Sequence, residues 1–140
     1  MYPNVHGVVG TISAIATYKI TNDYFISGLV AFLSHDLMDR LGEFNFKNVL
    51  YFEAVLFAIF CFLAWRSDNT ILYVIGWICG NLMDLIDKKF GLSIYDNVKH
   101  PYGQFFKCHR RKPNIDLNLW QTIAVGILST LILVLISLTK

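Results

Sequence analysis

From Leu117 to Leu138 the chain carries no charged residue. At about 1.5 Å per residue a helix over that run reaches about 33 Å, close to the roughly 30 Å hydrocarbon core of a bilayer. No other feature restricts the fold as much, because an apolar segment of that length must be covered by lipid or by other apolar segments. Four more such segments precede it, at about 5–20, 24–41, 49–65 and 70–87, each shorter or broken by ionisable groups. Composition points the same way: 55% of residues are hydrophobic and 16% charged, with a mean hydropathy of +0.49. Water-soluble domains average about 45–50% apolar and about 25% charged.

The expectation is an all-α integral membrane protein, a compact bundle of about five transmembrane helices with the last over about 117–138. Residues 1–140 form a single domain, with a basic loop over 88–116. The four interrupted spans are expected to shield one another inside the bundle. Gly7, Gly10, Ala14 and Thr17 recur at helical spacing on the first span, and Gly76 with Gly80 makes a small-xxx-small pair on the fourth. Such faces let helices approach closely.

No Lys or Arg precedes Lys19, so the first helix is expected to be retained rather than cleaved as a secretory signal. The three cysteines, Cys61, Cys79 and Cys108, are an odd count, and they are expected to be reduced. Five spans divide the 12 basic residues unequally: Lys19, Arg66 and Lys140 fall on one side and the other nine on the opposite side. The positive-inside rule places that richer side, with the N-terminus, in the cytoplasm. Trp65, Tyr24 and Tyr73 suit aromatic anchors at the far boundary.

All four histidines fall on the cytoplasmic half. His6 opens the first span, His35 lies late in the second, and His100 and His109 sit in the basic loop; Asp36, Asp39, Asp84 and Asp87 close the same ends of spans two and four. His35 and Asp39 are four apart on a helix, so both point to one face and can hold one metal. Asp84 and Asp87, three apart, can do likewise. A charge near the middle of a bilayer costs about 2.5–3.5 kcal/mol and needs a partner, a metal or water. A hydrogen-bonded polar pair is the alternative for His35 with Asp39, and pairing with Lys88 or Lys89 for Asp84 and Asp87. Imidazole with carboxylate is the ligand set of zinc, and also of manganese or non-haem iron.

The loop over 88–116 carries seven Lys and Arg against Asp96 and Asp116. Lys99, Arg110 and Arg111 suit phosphate binding beside a metal; attraction to anionic headgroups is the other reading. Nucleic acid is set aside, because the basic tract from Lys107 to Lys112 is short and has no reading module.

The chain resembles a family of small bacterial inner-membrane proteins known as membrane-bound metal-dependent hydrolases. The resemblance rests on His6-Gly7, on Ser34-His35-Asp36-Leu37-Met38-Asp39, on Gly80-Asn81-Leu82-Met83-Asp84 and on His109-Arg110. The family's usual second His and Ser after its His-Arg-Gly have no match here. The resemblance implies His6, His35, Asp39 and Asp84 as metal ligands and an inner (plasma) membrane location, and the Lys and Arg count turns the site toward the cytoplasm.

Taken together, the expected activity is hydrolysis of a phosphoester or another ester near the membrane, with Asp36 or Asp87 as general base. The expected cofactor is a divalent metal, zinc first, with manganese or iron as alternatives. Expected partners are the lipid bilayer, with anionic headgroups or a phosphorylated substrate, and homo-oligomerisation stays open. Two readings from other classes stand beside this one. The polar cluster would only fix the bundle of a non-catalytic assembly or regulatory protein, or it would form a proton or cation relay in a transporter component.

Overall fold

The computed structural model describes residues 3–38, 49–95 and 119–139. They form five helices: α1 (Pro3–Thr21), α2 (Tyr24–Met38), α3 (Val49–Arg66), α4 (Thr70–Tyr95) and α5 (Leu119–Leu138). Pro3 opens α1, where its fixed φ suits the first helical turn and its missing N–H costs nothing. The α1–α2 connection is two residues long. Asn22 takes a left-handed φ of 52° while its N–H donates back to the Tyr18 carbonyl at 2.8 Å, closing α1. Asp23 then caps α2, its Oδ1 accepting from the Ile26 N–H at 3.0 Å. So short a turn forces α1 and α2 to lie antiparallel.

α1 is the centre of the molecule and meets each of the other four helices. α4 runs antiparallel to α1 and parallel to α2, and those three helices form the tightest-knit part of the fold. Glycine makes this possible. A Cβ on Gly10 would stand 2.9 Å from Gly80 Cα, one on Gly76 2.8 Å from Thr11 N, and one on Gly80 2.5 Å from the His6 carbonyl oxygen. Backbone therefore meets backbone, and only hydrogen fits between. The buried Thr11 hydroxyl donates within α1 to the Gly7 carbonyl at 2.8 Å and also lies 3.4 Å from the Tyr73 carbonyl. Both small-residue faces read from the sequence thus form one contact.

α3 and α5 lie on the outside of this trio. Phe60 of α3, Leu72 and Tyr73 of α4 and Leu133 of α5 close on Val8 and Ile15 of α1. The Tyr73 hydroxyl and Ser137 Oγ share a hydrogen bond that ties α4 to α5. At the end remote from His6, Asn69 Nδ2 donates to the Tyr24 hydroxyl at 3.1 Å, joining the two helix turns.

The all-helical expectation agrees with this architecture, but its membrane component is corrected. Among the described residues no helix is long and apolar enough to cross a membrane. α2 has 15 residues, about 22 Å, well short of a core of about 30 Å. α1 and α4 turn His6, Thr11, Asn81 and Asp84 toward their neighbours, and α5, described from Leu119, buries Ser129, Thr130 and Leu133 against the bundle. The expected integral inner-membrane location falls with the spans, and so does the cytoplasmic side assigned from the Lys and Arg count. Tyr73, expected as an interfacial anchor, is 2% exposed and belongs to the core. Residues 88–95, expected to open the basic loop, instead continue α4 to Tyr95, and the rest of 88–116 lies outside the described residues. Cys61 and Cys79 are free thiols, and Cys108 is outside the described residues.

Candidate metal centre

Three helix segments meet at one end of the bundle. The second turn of α1 supplies His6, the last turn of α2 supplies His35, and α4 supplies Asp84. The α1–α4 contact at Gly80 sets the spacing, since the His6 carbonyl packs on Gly80 itself. Both imidazoles are 1% exposed, and their rings stack with centroids 4.1 Å apart and planes inclined by 16°. The stacking brings the two imidazoles to one place at the end of the bundle.

The tautomer of His35 follows from its partner. Its Nδ1 lies 2.8 Å from the Gly80 carbonyl oxygen, which can only accept, so Nδ1 carries the proton and donates. In the neutral ring that leaves Nε2 with a lone pair. Nε2 faces Asp84 Oδ1 across 3.8 Å, too far for a hydrogen bond. Two lone-pair atoms at that separation suit a shared cation, since two bonds of about 2.0–2.2 Å to one ion span at most about 4.3 Å. Ligand atoms of His6, His35 and Asp84 all lie within 4.8 Å of one another, and the group can hold a metal ion. A carbonyl that fixes the far nitrogen of a metal-binding histidine is the usual outer partner of such a ligand. The donor set therefore fits a divalent metal. The geometry identifies neither zinc nor hydrolysis, so those two expectations are not carried by it.

Of the expected ligands, the structure brings together His6, His35 and Asp84. Asp39 lies outside the described residues. Among the described residues His35 faces Asp84, a partner from another helix. Asp36 follows His35 on α2 and is half-buried; it is not one of the three converging residues. Asp87 falls on α4, with its side chain outside those described. Lys99, Arg110 and Arg111, with His100 and His109, also lie outside the described residues. Cys79 is not among the three converging residues; burial raises its thiol above the ordinary value, and it packs beside Gly28.

Sequence reasoning missed a second polar group beside these ligands. Trp77 Nε1 and Asn81 Oδ1 are buried on α4 and make no hydrogen bond among the described residues; Glu53 Oε1 on α3 is buried as well. A lone carboxylate within the apolar run of α3 was the available signal.

No protein-family model, no curated protein and no solved structure matches this chain. The resemblance to the metal-dependent hydrolases thus rests on the short motifs alone.

Proposed function

We propose that the protein is a metal-dependent hydrolase whose centre is His6, His35 and Asp84, acting on a phosphoester or a carboxylic ester. The observation that carries this reading is the 3.8 Å gap between His35 Nε2 and Asp84 Oδ1 with the His35 proton committed to Gly80. Three protein ligands leave a coordination position open, the arrangement of catalytic rather than structural metal sites. Two imidazoles and one carboxylate favour zinc, with manganese and iron as the competing ions. Such an ion supplies a nucleophile by making bound water more acidic, and it polarises the oxygen under attack. His6 and His35 would hold the ion, Gly80 would orient His35, and Asp84 would balance charge.

The test is elemental mass spectrometry on purified protein beside His35→Ala and Asp84→Ala, followed by assays with aryl phosphate and aryl ester substrates. About one divalent ion per chain, lost in both variants together with turnover, is the expected result. A folded wild-type protein that takes up no added zinc, manganese or iron overturns the reading.

One observation favours a second reading. The same three residues sit where α1, α2 and α4 are in closest contact, so the cluster also suits a non-catalytic assembly protein in which an imidazolium–carboxylate pair fixes the bundle. Metal-free protein with full stability, weakened by either alanine, is what that reading expects.

A further inference from the structure

The aromatic pairs across α3 and α4 fix their register. Phe60 packs on Tyr73 and Trp77, and Phe57 packs on Trp77. Position thus rises along α3 as it falls along α4. Glu53 lies one turn before Phe57 and Asn81 one turn after Trp77, so the same register sets Glu53 level with Asn81. Asp84 follows Asn81 by one turn on the same face of α4. Trp77 also lies against Gly7, with its pyrrole edge foremost, and Gly7 is next to His6. The niche formed by Trp77, Asn81 and Glu53 therefore adjoins the metal centre.

Its chemistry is specific. The Asn81 amide donates to the Trp77 carbonyl at 2.8 Å, which fixes Oδ1 as the end turned away from it. The niche then holds a buried donor, Trp77 Nε1–H, and a buried acceptor, Asn81 Oδ1, neither satisfied among the described residues. Leaving such a group bare costs about 1–3 kcal/mol. A water or hydroxyl answers both: it accepts from the indole and donates to the amide oxygen, with its second proton left for a carboxylate. Glu53 is the carboxylate at that level.

We propose that Glu53 is the proton acceptor of the metal centre, with Trp77 and Asn81 holding the water that delivers the proton to it. This rests on the metal-dependent reading above. With an ion held there, a water at the site would lose one proton, its oxygen keeping the O–H electron pair. The proton passes through the niche to the Glu53 carboxylate, which becomes a carboxylic acid and later returns that proton to the leaving oxygen of the ester. No electron is transferred. Among the described residues the other ionisable side chains of the centre are His6 on α1, His35 on α2 and Asp84 on α4, the three assigned above as ligands.

The experiment is the infrared difference spectrum of zinc-loaded minus zinc-free protein, with metal content measured on the same samples. Wild-type protein is expected to gain the carbonyl stretch of a protonated carboxylic acid on loading. Glu53→Gln is expected to bind the same amount of zinc without that band, and Glu53→Asp to show it at a displaced frequency. The aspartate variant decides the matter if the glutamine variant does not fold. One zinc per wild-type chain with no band, a band kept in Glu53→Gln, or an undisplaced band in Glu53→Asp overturns the role of Glu53 while leaving the metal centre standing. Wild-type protein that binds no zinc overturns the centre, and the role of Glu53 with it.

Discussion

His35 serves two partners at once, and separating them is the sharpest question at the scale of a residue. Its Nδ1–H satisfies the Gly80 carbonyl, and its Nε2 is offered to the ion. His35→Ala removes both. Stability should fall by about 2–4 kcal/mol, from the lost hydrogen bond to Gly80 and from the cavity, and metal binding should vanish. Asp84→Asn keeps the volume and removes only the charge on a side chain that is not fully buried. Zinc affinity measured by competition with a chromogenic chelator should drop about 100-fold, with the melting temperature of the metal-free protein nearly unchanged. Equal damage from both substitutions to the metal-free fold would mean the pair is structural. His6, His35 and Asp84 were all legible in the sequence as rare ionisable groups in apolar segments. Their grouping came only from the family resemblance, which also named Asp39, a residue outside the described ones. Spacing along one helix cannot supply it, because the α2–α4 contact brings Asp84 from 49 positions away and nothing local records that contact.

Helix by helix, glycine decides how near α4 can come. Gly80→Ala gains about 1 kcal/mol of helix propensity but drives a methyl to 2.5 Å from the His6 carbonyl oxygen, a backbone atom that cannot step aside. The helices must separate, and His6 and His35 move apart with them. The variant should be destabilised by at least about 2 kcal/mol in chemical denaturation and should lose metal. Gly28→Ala is the control. Its methyl would meet Ile75 Cγ2 at 3.2 Å and Cys79 Sγ at 3.4 Å, both side-chain atoms, so its stability should stay within about 1 kcal/mol of wild type. If Gly80→Ala behaves like Gly28→Ala, close packing does not position the site. The glycine spacing on α1 and α4 showed in the sequence, as did all five helices, though α4 runs on to Tyr95 where a basic loop from 88 was expected. What covers them did not show. An apolar stripe looks the same whether lipid or another helix lies against it, and α1 and α4 in fact spend theirs on each other.

For the molecule as a whole, the three ligands come from three helices, so an ion bound among them staples α1, α2 and α4 together. Binding to the folded state alone stabilises it by about 2.7 kcal/mol when the free ion is at 100 times its dissociation constant. For a chain of this size that should raise the melting temperature by roughly 10 °C, and a chelator should reverse the rise. His35→Ala should show no response to added metal. A proton competes with the ion for the imidazole lone pairs, so occupancy and the rise that depends on it should both shrink as the solution is acidified. Scanning calorimetry at several zinc concentrations and two pH values checks all of this together. The part of the fold that responds should be the part the metal joins: hydrogen exchange should slow in α1, α2 and α4 and change little in α3. Uniform slowing across all five helices would instead mean that the ion acts on global unfolding alone, with the bundle behaving as a single cooperative unit.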